Sequence, residues 1–269
     1  MQPLIRVESL VKTYEKQGLA GRRDEVRAVD GVSFSVFPRT TLAIVGESGS
    51  GKSTLALCLA CLENPTAGSI WFEGVDIVKL SEKGQRAMRR KIQLIFQDPA
   101  TSLNPRWSVA EILAEPLLLP GNLSRDEATW RAHSRLDQVG LSSEIAEKAP
   151  AELSGGQRQR LAIARALTLE PKLLILDEAL SALDCSFQAQ IANLLQDLQS
   201  ALGMTYVFIS HDLAMAAHLG DDIAVMNCGR IIEQGRPAEI LKNPKNDITR
   251  NMVSAVPRME FPRQQAPEP

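Results

Sequence analysis

Three short stretches of this 269-residue chain carry residues whose types and spacing can do chemistry. GESGSGKST, residues 46–54, satisfies the pattern G-x-x-x-x-G-K-[ST] at every defined position. It follows an apolar run, TLAIV, and leads into TLALCLACL, so it joins a strand to a helix as that pattern requires. The whole loop, Gly46, Glu47, Ser48, Gly49, Ser50, Gly51, Lys52, Ser53 and Thr54, reads as a phosphate cradle. Its glycines let backbone N–H groups curl around an anion, and the helix N-terminus adds positive dipole character. Lys52 is expected to reach the outer phosphates and Ser53 to ligate Mg²⁺. KLLILDE, residues 172–178, sets two carboxylates at the C-terminal end of an apolar strand. Open α/β sheets bind ligands at that edge. Asp177 suits Mg²⁺ there, and Glu178 suits orientation or deprotonation of an attacking water. Taken alone, the pair also fits an acidic helix N-terminus.

The third stretch is ELSGGQRQRLAIARAL, residues 152–167. Ser154 can cap a helix and Gln157, three residues on, can close a capping box. Gly155 and Gly156 allow close backbone approach to an anion at a partly positive helix end. This loop has no lysine of the Lys52 kind and no magnesium ligand. It can touch a γ-phosphate but cannot hold a nucleotide by itself.

The elements around these motifs alternate. TLAIV, KIQLIF, KLLILDE and TYVFIS are continuous apolar runs, the pattern of parallel strands covered on both faces. Shorter strands are expected near the start, in IRVESLVKTY and VSFSVF, with EKQGLAGRRDEVR as an exposed hairpin loop between them. GSIWFEGVDI predicts two strands about a turn at Glu73-Gly74. From Asp98 to about Pro150 the pattern is helical, with a capping box at Ser124 and Glu127. SFQAQIANLLQDLQSALG places Phe187, Ile191, Leu194, Leu195 and Leu198 on one helical face. The expected fold is α/β: a sheet core with an N-terminal antiparallel β-subdomain and an inserted helical subdomain over about residues 98–165. Residues 1–256 form one unit in this reading. PRMEFPRQQAPEP, residues 257–269, is proline-rich and expected to be disordered.

Bulk properties exclude several classes. Hydrophobic residues make up 44% and charged residues 23%, as in ordinary globular proteins. A net charge of −2 gives no electrostatic case for nucleic acid. No apolar run approaches the roughly 18 residues that span a bilayer, and MQPLIRVESLV lacks the pattern of a signal peptide. Four scattered cysteines do not make a disulfide framework. Cys58 and Cys61, in C-x-x-C spacing on one face of the helix after the phosphate loop, read as buried small hydrophobes before a redox or metal pair.

The order and spacing of the phosphate loop, LSGGQ at 153–157 and the strand ending in Asp177-Glu178 resemble the ABC-transporter ATPases, from about Ile5 to Val256. The resemblance implies a P-loop NTPase with a RecA-like core, binding ATP and Mg²⁺ and hydrolysing ATP. It implies roles for residues that are bland on their own. Gln97, otherwise simple turn chemistry before Asp-Pro, becomes a glutamine sensing Mg²⁺ and water and contacting a membrane subunit. His211, otherwise a cap or a surface residue, becomes a switch histidine on the γ-phosphate, with Glu178 and Gln97 its catalytic companions. Asp184, in Ser181-Ala182-Leu183-Asp184, joins the nucleotide-facing set, and Tyr14, otherwise a strand aromatic, stacks on adenine. Ser154, Gly155, Gly156 and Gln157 then serve the nucleotide of an opposite subunit. The family usually reads D-E-P-T-S-A-L-D; this chain has Ala179-Leu180 in place of Pro-Thr, while both carboxylates and Asp184 persist.

IFQDPATSLNPRWSVAEILAEPL, residues 95–117, is similar to the oligopeptide/dipeptide/nickel importer ATPases, and NPKNDITRNMVSAVP, residues 243–257, is similar to a diverged form of their ending. The tail lacks the cysteines that hold an iron–sulfur cluster in some members. The resemblance reaches the Sap-type systems of that group, which implies peptides, antimicrobial peptides or a small polyamine as cargo. It implies a second, different ATPase subunit, two transmembrane permeases and, indirectly, a periplasmic binding protein. The chain would lie on the cytoplasmic face of a bacterial inner membrane, held there by the permeases alone. Two other readings are a soluble ABC protein and a regulatory subunit that does not hydrolyse ATP. Soluble members usually carry two cassettes or a long coiled coil, which this chain lacks, and Glu178 argues against the regulatory reading.

Overall fold

The computed structural model describes residues 2–17, 23–98, 102–119 and 123–256. Its centre is a six-stranded sheet, and the strands that sequence pattern marks as continuous apolar runs occupy its middle. β3 (Thr41–Val45), β6 (Ile92–Ile95), β7 (Leu173–Asp177), β8 (Thr205–Ser210), β9 (Asp222–Asn227) and β10 (Arg230–Gly235) lie in the order β10-β9-β3-β8-β7-β6. All neighbours are parallel except β10, which returns antiparallel along β9. A second, antiparallel sheet of β1 (Ile5–Gln17), β2 (Arg23–Val36), β4 (Ala67–Phe72) and β5 (Val75–Asp76) has the order β2-β1-β4-β5.

Strand alternation splits the core in two. Leu42, Ile44, Leu173, Ile175, Val207 and Ile209 face one side, packing on α1 (Lys52–Leu59) and the antiparallel sheet. Ala43, Val45, Leu174, Leu176, Tyr206 and Phe208 face the other. There they meet α3 (Val109–Leu118), α4 (Arg125–Gln138), α5 (Gly155–Leu167), α6 (Cys185–Leu202) and α7 (Leu213–Leu219). Burying each such Leu or Ile contributes about 1.5–3 kcal/mol. The remaining helices are α2 (Glu82–Lys91), α8 (Pro237–Lys242) and α9 (Asp247–Ala255). α3, α4 and α5 pack on one another between β6 and β7, and α5 also packs on β6, so one core runs through them into the sheet.

Several expectations are corrected in detail. Both ends of the loop expected over EKQGLAGRRDEVR are strand: β1 runs to Gln17 and β2 starts at Arg23, because pairing with a long partner overrides polar composition, while residues 18–22 lie outside the described residues. Phe187 is not on the buried face of α6; it is 39% exposed, while Ile191, Leu195 and Leu198 are buried. At Ser124 only half the capping box forms: Glu127 N–H donates to the serine hydroxyl at 3.2 Å, but the Glu127 carboxylate pairs with Arg131 at 2.9 Å. Cys61 lies beyond the end of α1 at φ 56°, so it does not share a helical face with Cys58, although both are buried. The turn at Glu73-Gly74 forms as expected, both residues at positive φ as in a tight hairpin turn. The segment 257–269 lies outside the described residues.

Candidate functional site

Strand register brings the motifs to one edge. Val45 pairs with Ser210, Asp177 with Ile209 and Ile95 with Leu176, so β3, β8, β7 and β6 end side by side. The phosphate loop leaves from β3, Glu178 from β7, His211 from β8 and Gln97 from β6. Successive motifs lie between about thirty and eighty positions apart in the chain, and parallel pairing alone collects them.

At the loop, Lys52 is nearly buried, with 4% of the residue exposed, and its ammonium points back into the loop. It donates to the carbonyls of Gly46 and Glu47 at 2.8 Å each, and to Ser50 Oγ at 3.3 Å. Burial pushes its pKa below the ordinary lysine value, partly offset by the charges of Glu178 and Asp177. Ser53 Oγ donates to Asp177 Oδ1 at 3.2 Å. Asp177 is itself buried, and burial raises its pKa, with the Ser53 hydrogen bond opposing and the Glu178 charge adding. A buried carboxylate beside a hydroxyl is an all-oxygen pair, the donor chemistry a hard divalent cation takes.

Glu178 holds φ 48°, a strained value for a side-chain-bearing residue and one that recurs at functional sites. Its N–H donates to the Ile209 carbonyl at 3.0 Å, and its own carbonyl accepts from Ser181 N at 3.0 Å and Ser181 Oγ at 2.8 Å. The turn is thus pinned on both sides, and the carboxylate Oε2 stands 3.5 Å from His211 Nδ1. Gln97 Nε2 donates to Ser181 Oγ at 3.4 Å, tying the end of β6 to the same turn. Ala179 and Leu180, where the family usually has Pro-Thr, are buried in the helical-side core, so the turn is held by packing where proline would restrict φ.

A cavity of about 540 Å³ opens over the loop, lined by Ser48, Gly49, Gly51, Lys52, Ser53, Thr54, Gln97 and Glu178. Val26, Arg27, Ala28, Cys228 and Gly229 complete it, and motif reasoning found none of these five. Cys228-Gly229 is the β9–β10 hairpin turn; Gly229 N–H donates to the Ser50 carbonyl at 2.9 Å, bracing the loop. Tyr14 does not line the cavity. It pairs across the strands with Val26, which does, and Lys12 Nζ sits 5.0 Å from its ring centroid.

The second glycine loop lies elsewhere. Ser154 caps α5 through a complete capping box, Gln157 N to Ser154 Oγ at 3.2 Å and Ser154 N to Gln157 Oε1 at 2.9 Å. Gly156 lies against the Phe187 ring, where an added Cβ would sit 2.9 Å from Cδ1. Ser154, Gly155, Gly156, Gln157 and Asp184 do not line the cavity over this chain's own phosphate loop.

The sequence profile of the ABC transporter family matches residues 29–181. The dipeptide transport ATP-binding protein DppF of Escherichia coli K12 is 46% identical over 259 residues, covering 96% of this chain and 78% of its own length. The oligopeptide transport ATP-binding protein OppD of Mycobacterium tuberculosis is 49% identical over 258 residues, 95% of this chain and 42% of its own length. Among solved structures, the dimeric post-hydrolysis state of the ATP-binding cassette MJ0796 bound to ADP and Pi superposes with a TM-score of 0.77 at 31% identity. That match covers 87% of this chain and 98% of the other.

Proposed function

The chain belongs to the ABC transporter family and is an ATPase subunit of it; we propose that it couples ATP-driven closure of a cassette dimer to peptide import. The observation that carries this reading is the meeting of Lys52, Asp177, Glu178, Gln97 and His211 at one sheet edge, with the second glycine loop outside that chain's own cavity. In this reading Lys52 and the loop N–H groups bind the β- and γ-phosphates of ATP. Ser53, Asp177 and Gln97 would hold Mg²⁺, which when bound would neutralise phosphate charge as a Lewis acid. Glu178 accepts the proton of a water whose oxygen attacks the γ-phosphorus. The bond to the β-phosphate oxygen breaks, and ADP and phosphate leave. His211, beside Glu178, steadies the γ-phosphate.

Ser154, Gly155, Gly156, Gln157 and Asp184 serve the ATP held by a partner cassette, so each closed dimer carries two composite sites. Tyr14, next to Val26 at the cavity rim, takes the adenine. A separate cavity of about 780 Å³, lined by apolar Trp107 and Leu118 and by charged Glu111, Glu115 and Arg125, would receive a permease helix. No helix among the described residues is long and apolar enough to cross a membrane. In this reading two permeases attach the chain to the cytoplasmic face of the inner membrane, and a periplasmic binding protein delivers cargo. The relatives named for dipeptide and oligopeptide transport support peptides as that cargo. Glu178→Gln in the assembled transporter tests the reading. It is expected to accumulate an ATP-bound closed dimer and to stop uptake of labelled di- and oligopeptides. Wild-type ATP turnover in that variant would remove Glu178 from its role, and intact peptide uptake by a strain lacking this subunit would remove the cargo.

A further inference from the structure

His211 is 58% exposed at its side chain, and its Nδ1 stands 3.5 Å from the Glu178 carboxylate. The backbone beneath it is fixed: Asp212 N–H donates to Ser210 Oγ at 2.9 Å, and the Asp212 carboxylate caps α7 through Ala214 and Met215 N–H. The imidazole therefore has rotamer freedom on a rigid mount, and something must limit where it swings. A cavity of about 390 Å³ lies beside it, bounded by Gly46 and Glu47 of the phosphate loop, by His211, Asp212 and Leu213, and by Met252, Ala255 and Val256 of the C-terminal segment.

That third wall is firmly tethered. The Glu233 carboxylate on β10 accepts from Lys245 N–H at 2.8 Å and Asn246 N–H at 3.0 Å, fixing the entry to α9. Asn246 Oδ1 caps the helix through Ile248 N–H at 3.0 Å, and Thr249 is fully buried. Met252, Val253 and Val256 pack against the helical-side core. The β9–β10 turn braces the phosphate loop through Gly229 N–H and the Ser50 carbonyl, and the end of α9 faces Gly46 and Glu47 across the cavity.

We propose that Met252 is a positioning residue for hydrolysis: it forms the back wall that confines the His211 ring to the side of Glu178 and the γ-phosphate. The proposal rests on the reading of His211 as the switch histidine. Truncating Met252 removes the three heavy atoms beyond Cβ and enlarges the cavity that the ring already borders, so the ring spends less time in the productive rotamer. The phosphate loop is untouched, so nucleotide affinity is spared.

The test is steady-state ATPase activity of the full transporter complex carrying Met252→Ala, Met252→Leu or His211→Ala. Met252→Ala is expected to lower kcat three- to tenfold with the KM for ATP within twofold of wild type. Met252→Leu, which keeps most of the volume, is expected to restore kcat. If the alanine variant does not assemble, Met252→Val carries the same split at smaller size. Wild-type kcat in the truncated variant overturns the proposal, as does a fall in kcat matched by a rise in KM, or a failure of leucine to rescue. Loss of activity in His211→Ala with no effect of Met252→Ala overturns this inference alone; full activity in His211→Ala overturns the reading beneath it.

Discussion

Alanine at Gly51 and alanine at Gly49 separate two reasons for glycine in one loop. Gly49 has φ 80°, and a Cβ added there meets nothing within 4 Å. Its replacement therefore costs only the left-handed backbone penalty, about 1–2 kcal/mol. Gly51 has φ 103°, and its Cβ would stand 1.9 Å from the Ala28 carbonyl oxygen and 2.9 Å from Met226 Cε. The carbonyl is main chain of β2, at an irregularity between the paired residues Arg27 and Val29, so it cannot move aside as the end of a flexible side chain would. The overlap adds about 1–3 kcal/mol of overpacking to a backbone penalty of about 1–2 kcal/mol. Gly51→Ala is thus expected to cost roughly 2–5 kcal/mol in all. At about 2–4 °C per kcal/mol for a chain of this size, the Tm of Gly51→Ala falls clearly below that of Gly49→Ala. Urea unfolding of the full chain, followed by far-UV circular dichroism with both variants and wild type side by side, reads the difference. Equal losses, or a larger loss at Gly49, would refute the claim that backbone contact with β2 shapes this loop.

Ser154→Arg is expected to impair hydrolysis by the transporter while leaving ATP binding to this chain's own loop within about twofold, read by nucleotide binding to the single subunit; equal loss of both would place the second glycine loop in cis. Burial pushes the thiols of Cys58 and Cys61 up to about 12 and about 11. Both should therefore stay protonated and unreactive at neutral pH, and become reactive only as denaturant exposes them. Cys185 and Cys228 are exposed and should titrate at once with a thiol reagent. ATP should slow labelling of Cys228 alone, since that residue lines the cavity over the phosphate loop; labelling unaffected by ATP would argue against the nucleotide's place there.

What could be read from the sequence was what depends on residues a few positions apart. The G-x-x-x-x-G-K-[ST] loop, the Ser154–Gln157 capping box and the Glu73-Gly74 turn are contiguous, and local spacing decides their geometry. The apolar runs of β3, β7 and β8 announced a parallel sheet because strands buried on both faces cannot alternate. Single substitutions were visible too, as Ala179-Leu180, but not their meaning: only packing shows both side chains buried beneath the Glu178 turn. Composition misjudged the first hairpin, because polar residues in β1 and β2 are held by cross-strand pairing and not by their own preference. Helical periodicity misplaced Phe187, whose ring lies against Gly156 of another helix.

The sequence by itself determined which loops can hold phosphate, which strand ends in two carboxylates and that a parallel sheet carries them. The tertiary structure decided who stands beside whom. Register set His211 at 3.5 Å from Glu178, and chain return from the C-terminal end brought Gly229 onto Ser50 and Met252 to the cavity beside His211. Asp30 meets Arg230 at 2.7 Å, two hundred positions away, in the same clasp. Such contacts depend on strand order and core packing summed over the whole chain, and no window of neighbouring residues contains that information.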